Sequence, residues 1–121
     1  MFRRLGIPFG GYVYAQPSDG AAEARVLWAE CKRLGWTGVA PGCDIESDPK
    51  IHIWSNAADK DDGRAYCSQM RQLGVRPAVY MNASLEPATR PDLWPEVPVV
   101  WVARYGLKPE TPRNGVQYTG H

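Results

Sequence analysis

The sequence predicts an α/β fold: a parallel sheet of about four strands with intervening helices. Three observations carry this. Short runs rich in β-branched and aromatic residues alternate with two long amphipathic stretches of helical period. Both long stretches stop on the same signal, Arg33-Leu34-Gly35 and Gln72-Leu73-Gly74, so a unit recurs. The strand-like runs also end in polar or aromatic residues, as strands do where their C-terminal ends surround a shared cleft. Such alternation builds right-handed crossovers. It fits a flat doubly wound sheet or an arc of a β/α barrel.

Gly10-Gly11-Tyr12-Val13-Tyr14-Ala15-Gln16-Pro17 reads as the first strand, ended by Pro17, with Tyr12 and Tyr14 on one face. Ser18 or Asp19 then offers an N-cap for a helix of about sixteen residues that stops at Gly35. Ala24, Leu27, Trp28, Cys31 and Leu34 follow the i, i+3, i+4, i+7 pattern and form its apolar face. Glu23, Arg25, Glu30, Lys32 and Arg33 cover most of the remainder.

Val39 to Ser47 is a short apolar strand running into an acidic tip, Asp44-Ile45-Glu46. Alternation sends Asp44 and Glu46 to one face, with Cα atoms about 6.5 Å apart, and Ile45 to the other. Repulsion and partial burial of such a pair raise one pKa and leave the other group ionised. Acid-assisted cleavage of a glycosidic bond needs that split. A solvated turn before Pro49 fits the same two residues.

A loop from Asp48 to Ser55 holds Pro49, His52 and Trp54. A second helix follows over roughly Ala57 to Leu73, with Tyr66, Cys67, Met70 and Leu73 inward. Val75 to Asn82 is the third strand, and Leu85 to Trp94 holds at most a short helix. Val97 to Tyr105 is apolar enough for a fourth strand buried on both faces. Residues 106–121 read mostly as loop, with Val116-Gln117-Tyr118 as a strand stub.

Composition narrows the function classes. A chain of 121 residues is one domain or a piece of one. A net charge of +1 gives no electrostatic basis for a nucleic acid or anionic membrane partner. No run is long enough for a transmembrane helix, and the start lacks the apolar core and cleavage site of a signal peptide. Cys31, Cys43 and Cys67 are an odd set without metal-ligand spacing, so structural thiols are expected, with no metal and no cofactor. No glycine-rich phosphate loop follows a strand. His52 has no partner at useful spacing, and His121 is terminal. Aromatics make up 11% of the chain, which suits stacking on flat apolar sugar faces as well as ordinary core packing.

Four motifs together resemble glycoside hydrolase family 25, the lysozyme-type muramidases common in phage endolysins and bacterial autolysins. They are Gly10-Gly11-Tyr12-Val13-Tyr14-Ala15 before an Ala/Glu-rich helix, Asp44-Ile45-Glu46, Gly74-Val75-Arg76-Pro77-Ala78-Val79-Tyr80, and Trp101-Val102-Ala103-Arg104-Tyr105. The resemblance covers about Gly10 to Tyr105. It implies a partial (β/α) barrel of TIM-like type that hydrolyses the β-1,4 bond between N-acetylmuramic acid and N-acetylglucosamine in peptidoglycan. Carried over by position, Glu46 is the general acid. Asp44 is the carboxylate that stabilises the charged transition state or positions the acetamido group. Tyr12, Tyr14, Tyr80 and Trp101 line the sugar cleft, with Asn82 and Arg104 as further substrate contacts. An endolysin-like protein of this kind stays cytoplasmic until lysis and then acts on the cell wall.

Relative to the family, two early β/α units, the first strand's Asp and the closing strands have no counterpart here. The resulting half barrel has open sheet edges, which invite self-association or a complementing chain. Two other readings stand beside the muramidase: a carbohydrate-binding remnant without turnover, and a doubly wound domain holding a divalent cation on Asp44, Glu46 and Asp48.

Overall fold

Each strand of the sheet pairs with the next strand in sequence. The computed structural model describes residues 11–46, 54–103 and 116–119. The strands are β1 (Tyr12–Tyr14), β2 (Gly42–Ile45), β3 (Ala78–Asn82), β4 (Val99–Ala103) and β5 (Val116–Thr119). They run parallel in the order β1-β2-β3-β4-β5. Helix α1 (Gly20–Leu34) joins β1 to β2, and α2 (Asn56–Gln72) joins β2 to β3. Between β3 and β4 lie the short α3 (Leu85–Thr89) and a 3-10 turn (Pro91–Leu93).

The helix boundaries follow local chemistry. Asp19 caps α1 by accepting the Ala22 N–H at 2.9 Å, and Ser55 caps α2 by accepting the Ala58 N–H at 3.1 Å. At the other ends, Gly35 and Gly74 take left-handed backbone (φ 87° and 83°), where a Cβ would be strained. The repeated Leu-Gly stop is thus a repeated backbone geometry.

Strand alternation sorts the sheet into two unlike faces. Cys43, Ile45, Val79, Met81, Val100 and Val102 are buried, and they join Ala24, Tyr66, Cys67 and Met70 of the helices in one core. The alternate residues, among them Tyr12, Asp44, Tyr80 and Trp101, are not buried. Helices α1 and α2 meet very closely: a Cβ built on Gly20 would lie 2.1 Å from the Asp62 carbonyl oxygen. The Tyr66 hydroxyl donates to the Pro41 carbonyl at 2.8 Å, tying α2 to the chain entering β2. Arg71 donates to the Glu96 and Val97 carbonyls, each at 2.8 Å, tying α2 to the chain entering β4.

The strand stub expected at Val116 is present as β5, so the described sheet has five strands. Other expectations are corrected. Strand β4 is not buried throughout on both faces, since Trp101 is 47% exposed and Val99 only partly buried, while Ala103 beyond them is buried. An unbroken apolar run does not distinguish two covered faces from one face bearing a large exposed aromatic. Leu34, read as part of the apolar face of α1, is 48% exposed in its last turn. Glu23, read as part of the solvated face of α1, is partly buried with an oxygen cut off from solvent.

Candidate active site

One register row crosses the open face of the sheet. Tyr14 of β1 is the partner of Asp44 on β2, Asp44 of Tyr80 on β3, and Tyr80 of Trp101 on β4. Neighbouring strands lie about 4.8 Å apart, so four side chains of the expected site stand shoulder to shoulder. Tyr12 lies one step earlier on the same face, in a row with Gly42 and Ala78. Those two small residues leave room in front of the row. The result is a cleft of about 410 Å³, lined by Tyr12, Asp44, Glu46, Tyr80 and Trp101 together with apolar Val39, Ala40, Ala78 and Val79.

Glu46 follows the end of β2 and lines this cleft beside Asp44. The two carboxyls are within hydrogen-bonding reach. Burial, followed by the Glu46 contact and charge, pushes the Asp44 carboxyl up to about 7. Asp44 Oδ1 is cut off from solvent. Near neutral pH the Asp44 carboxyl therefore keeps a large share of its proton. The resemblance gives the acid role to Glu46, whereas Asp44 is the carboxyl held protonated toward neutrality. Its main chain is fixed from both sides, since the Ala15 N–H donates to the Asp44 carbonyl at 2.9 Å and β3 pairs along the other edge.

The remaining expected residues divide. Asn82 ends β3, and its Oδ1 accepts the Leu85 N–H at 3.3 Å, so it holds the turn into α3 while sitting one step above the row. Tyr12 is 74% exposed at the cleft. Arg104, His52 and Asp48 lie outside the described residues. Cys43 is buried on the opposite face of β2, where burial pushes its thiol well above the ordinary range. All three cysteines are buried and unpaired. Among the described residues no three His, Cys, Asp or Glu side chains converge as ligands for a metal ion. No helix among them is long and apolar enough to cross a membrane.

Sequence reasoning missed the apolar floor of the cleft. Its signal was present, because Gly42 and Ala78 are the small residues two positions before Asp44 and Tyr80. It also missed a second carboxyl pair, Glu23 and Asp62, on the helix side of the sheet. Nothing local relates two residues on separate helices.

No family model matches the chain, and no curated protein does. Solved structures do. The chain is similar to the catalytic domain of the endolysin ply40 from bacteriophage P40 of Listeria monocytogenes, with 24% identity and a TM-score of 0.65, over 93% of this chain and 55% of that one. It is similar to the spore cortex lytic enzyme SleM of Clostridium perfringens, with 17% identity and a TM-score of 0.72, over 99% of this chain and 46% of that one. A family GH25 lysozyme from Aspergillus fumigatus matches at 18% identity and a TM-score of 0.62, over 93% of this chain and 58% of that one. The chain thus spans about half the length of these solved chains. The likeness shows the fold: a partial α/β barrel of the kind these lysozymes have.

Proposed function

We propose that the cleft binds glycan strands of peptidoglycan and that Asp44 and Glu46 are its catalytic pair. The reaction is hydrolysis of the β-1,4 bond between N-acetylmuramic acid and N-acetylglucosamine. The supporting observation is the row Tyr14–Asp44–Tyr80–Trp101, which sets a carboxyl pair among aromatic rings on an open face. An acid and a carboxylate side by side are the two groups such hydrolysis requires. In that chemistry the two carboxyls stand about 5–9.5 Å apart around the scissile bond. Substrate must therefore part them, and the proton stays on the group nearer the leaving oxygen. Glu46 follows the last residue of β2 whereas Asp44 lies within the strand, which suits Glu46 to the acid role. The likeness to an endolysin catalytic domain and to lysozymes supports this substrate class, and with it a protein held in the cytoplasm until lysis and then acting on the wall.

Among the described residues β1 and β5 are the edge strands of the sheet, which favours a second reading: glycan binding without turnover until a second copy or a complementing chain extends the sheet. One experiment tests both. The chain and its Glu46→Gln form are added to purified cell walls, and clearing and co-sedimentation are recorded. Clearing that disappears with Glu46→Gln supports the hydrolase. Co-sedimentation of both forms without clearing supports the binding reading. A chain that neither clears nor sediments with walls removes peptidoglycan as the ligand.

A further inference from the structure

A second pair of carboxyls lies on the other side of the sheet, between α1 and α2. Asp62 on α2 is 5% exposed, and Glu23 stands one turn into α1. Each holds a backbone amide of the turn that joins β1 to α1. Glu23 Oε2 accepts the Gln16 N–H at 3.2 Å, and Asp62 Oδ1 accepts the Ser18 N–H at 3.3 Å. The remaining oxygens, Glu23 Oε1 and Asp62 Oδ2, are cut off from solvent with no donor among the described residues. The two carboxyls are within hydrogen-bonding reach of one another. Two buried acceptors in contact are satisfied together only by a proton placed between them.

We propose that Glu23 and Asp62 share one proton across the α1–α2 interface, and that this proton clamps the β1–α1 turn to α2, so that the order of the turn depends on pH. Close packing holds the two helices in register, because the backbones meet where a Cβ on Gly20 would lie 2.1 Å from the Asp62 carbonyl oxygen. Burial raises the Glu23 carboxyl to about 7, helped by Asp62, and burial also raises Asp62. The groups facing the pair reinforce this. Asp19 at the head of α1 adds negative charge, and the Cys43 thiol on β2 and the Tyr66 phenol on α2 lie close enough to feel the pair. Arg25 on α1 donates instead to Gln69 at 3.0 Å. Asp59 on α2 is buried with interactions of its own.

Loss of the proton leaves two carboxylates in contact, and their repulsion is relieved by moving the start of α1 away from α2. The turn that would loosen, Gln16 to Ser18, directly follows Ala15, whose N–H holds the Asp44 carbonyl. The device therefore sits behind the strand that carries Asp44, and it is independent of what the cleft binds.

The test needs no glycan. Amide hydrogen exchange at Gln16 and Ser18 is measured at pH 5.5 and pH 8, corrected for intrinsic rates and referred to Val79 in β3. Protection at the two amides should fall about tenfold relative to Val79, less than the full shift implies because water reaches part of Glu23. Glu23→Gln keeps the acceptor for Gln16 and donates permanently to Asp62, so its protection should stay level across this range. Asp62→Asn should behave alike from the other side. Unchanged protection in the native chain, or the same fall in both variants, overturns the proposal. So does protection at pH 8 restored by magnesium chloride but not by sodium chloride of equal ionic strength, which would make the pair a cation site.

Discussion

Asp44 and Trp101 stand two strands apart in a single register row, with Tyr80 between them. Two inter-strand spacings place their Cα atoms about 10 Å apart, roughly the length of two linked sugar rings. Trp101 projects from a strand whose opposite face is core, and its ring is 47% exposed on the cleft side. Trp101→Ala should cost about 1–2 kcal/mol of unfolding free energy, the burial of the remaining half of the ring. It should weaken sedimentation with purified cell walls about tenfold, the worth of one lost stacking partner. Undiminished sedimentation would remove Trp101 from the glycan site.

Asp44 gives the fold a pH dependence with a definite sign. Its pKa is raised on folding from 3.8 to about 7. Its contribution is therefore fully present below its unfolded value and is lost as pH rises through about 7. Asp44→Asn, neutral and of the same shape, should match the native chain near pH 4. At pH 8 it should be more stable by about 1–2 kcal/mol, a figure reduced for the partial exposure of the carboxyl. Urea unfolding at the two pH values checks this, and an equal gap at both would show that the effect is not titration.

Two helical glycines should respond differently to the same change. Alanine is the better helix former by about 1 kcal/mol. At Gly20, however, the new methyl meets backbone, the Asp62 carbonyl oxygen at 2.1 Å and the Tyr66 nitrogen at 2.9 Å. At Gly63 it meets the ends of the Ile45 and Trp94 side chains, at 2.7 and 2.8 Å. Side chains can shift and a helix backbone cannot do so alone. Gly20→Ala should cost about 3 kcal/mol and Gly63→Ala about 1–2 kcal/mol. Thermal unfolding of the two variants, side by side, reads the order; the reverse order would contradict the packing described at Gly20.

Tyr66→Phe isolates one hydrogen bond. The phenol is fully buried and its hydroxyl donates to the Pro41 carbonyl. Removing the hydroxyl leaves that carbonyl without this donor and a small void, for a loss of about 1–2 kcal/mol. Chemical denaturation measures it, and a change below about 0.5 kcal/mol would mean that the Ala78 N–H, which donates to the same carbonyl at 2.9 Å, satisfies it alone.

What could be read from the sequence was whatever repeats locally. The caps at Asp19 and Gly35, the apolar stripe through Ala24 and Cys31, and the shared face of Asp44 and Glu46 each depend on residues a few positions apart. The gathering of Tyr14, Asp44, Tyr80 and Trp101 needed one further step, that strand ends of a parallel sheet come together, and the register row accords with it. The failures arose where tertiary contact decides. Nothing near Glu23 signals that Asp62 lies opposite, or that Gly20 permits the approach. The open part of β4 was hidden because Val99 and Trp101 are as apolar as the buried Val100 and Val102 beside them. Strand β5 was underestimated because four residues between prolines, glycines and polar groups carry almost no pattern.

The strictly sequential strand order has a consequence for how such a sheet comes into being. Every strand finds its partner one helix or loop away, never across the whole chain. The contacts that must form are of short to middle range, so the entropy of loop closure is met in small instalments and the structure grows from one end. A ribosome releasing this chain would expose β1, α1 and β2 as a unit able to close before β4 had been made. Growth of this kind has no required last step: each finished unit leaves a strand edge on which the next can form. Evolution can therefore lengthen or shorten an arc of this type by whole units without rewiring the strands already laid down.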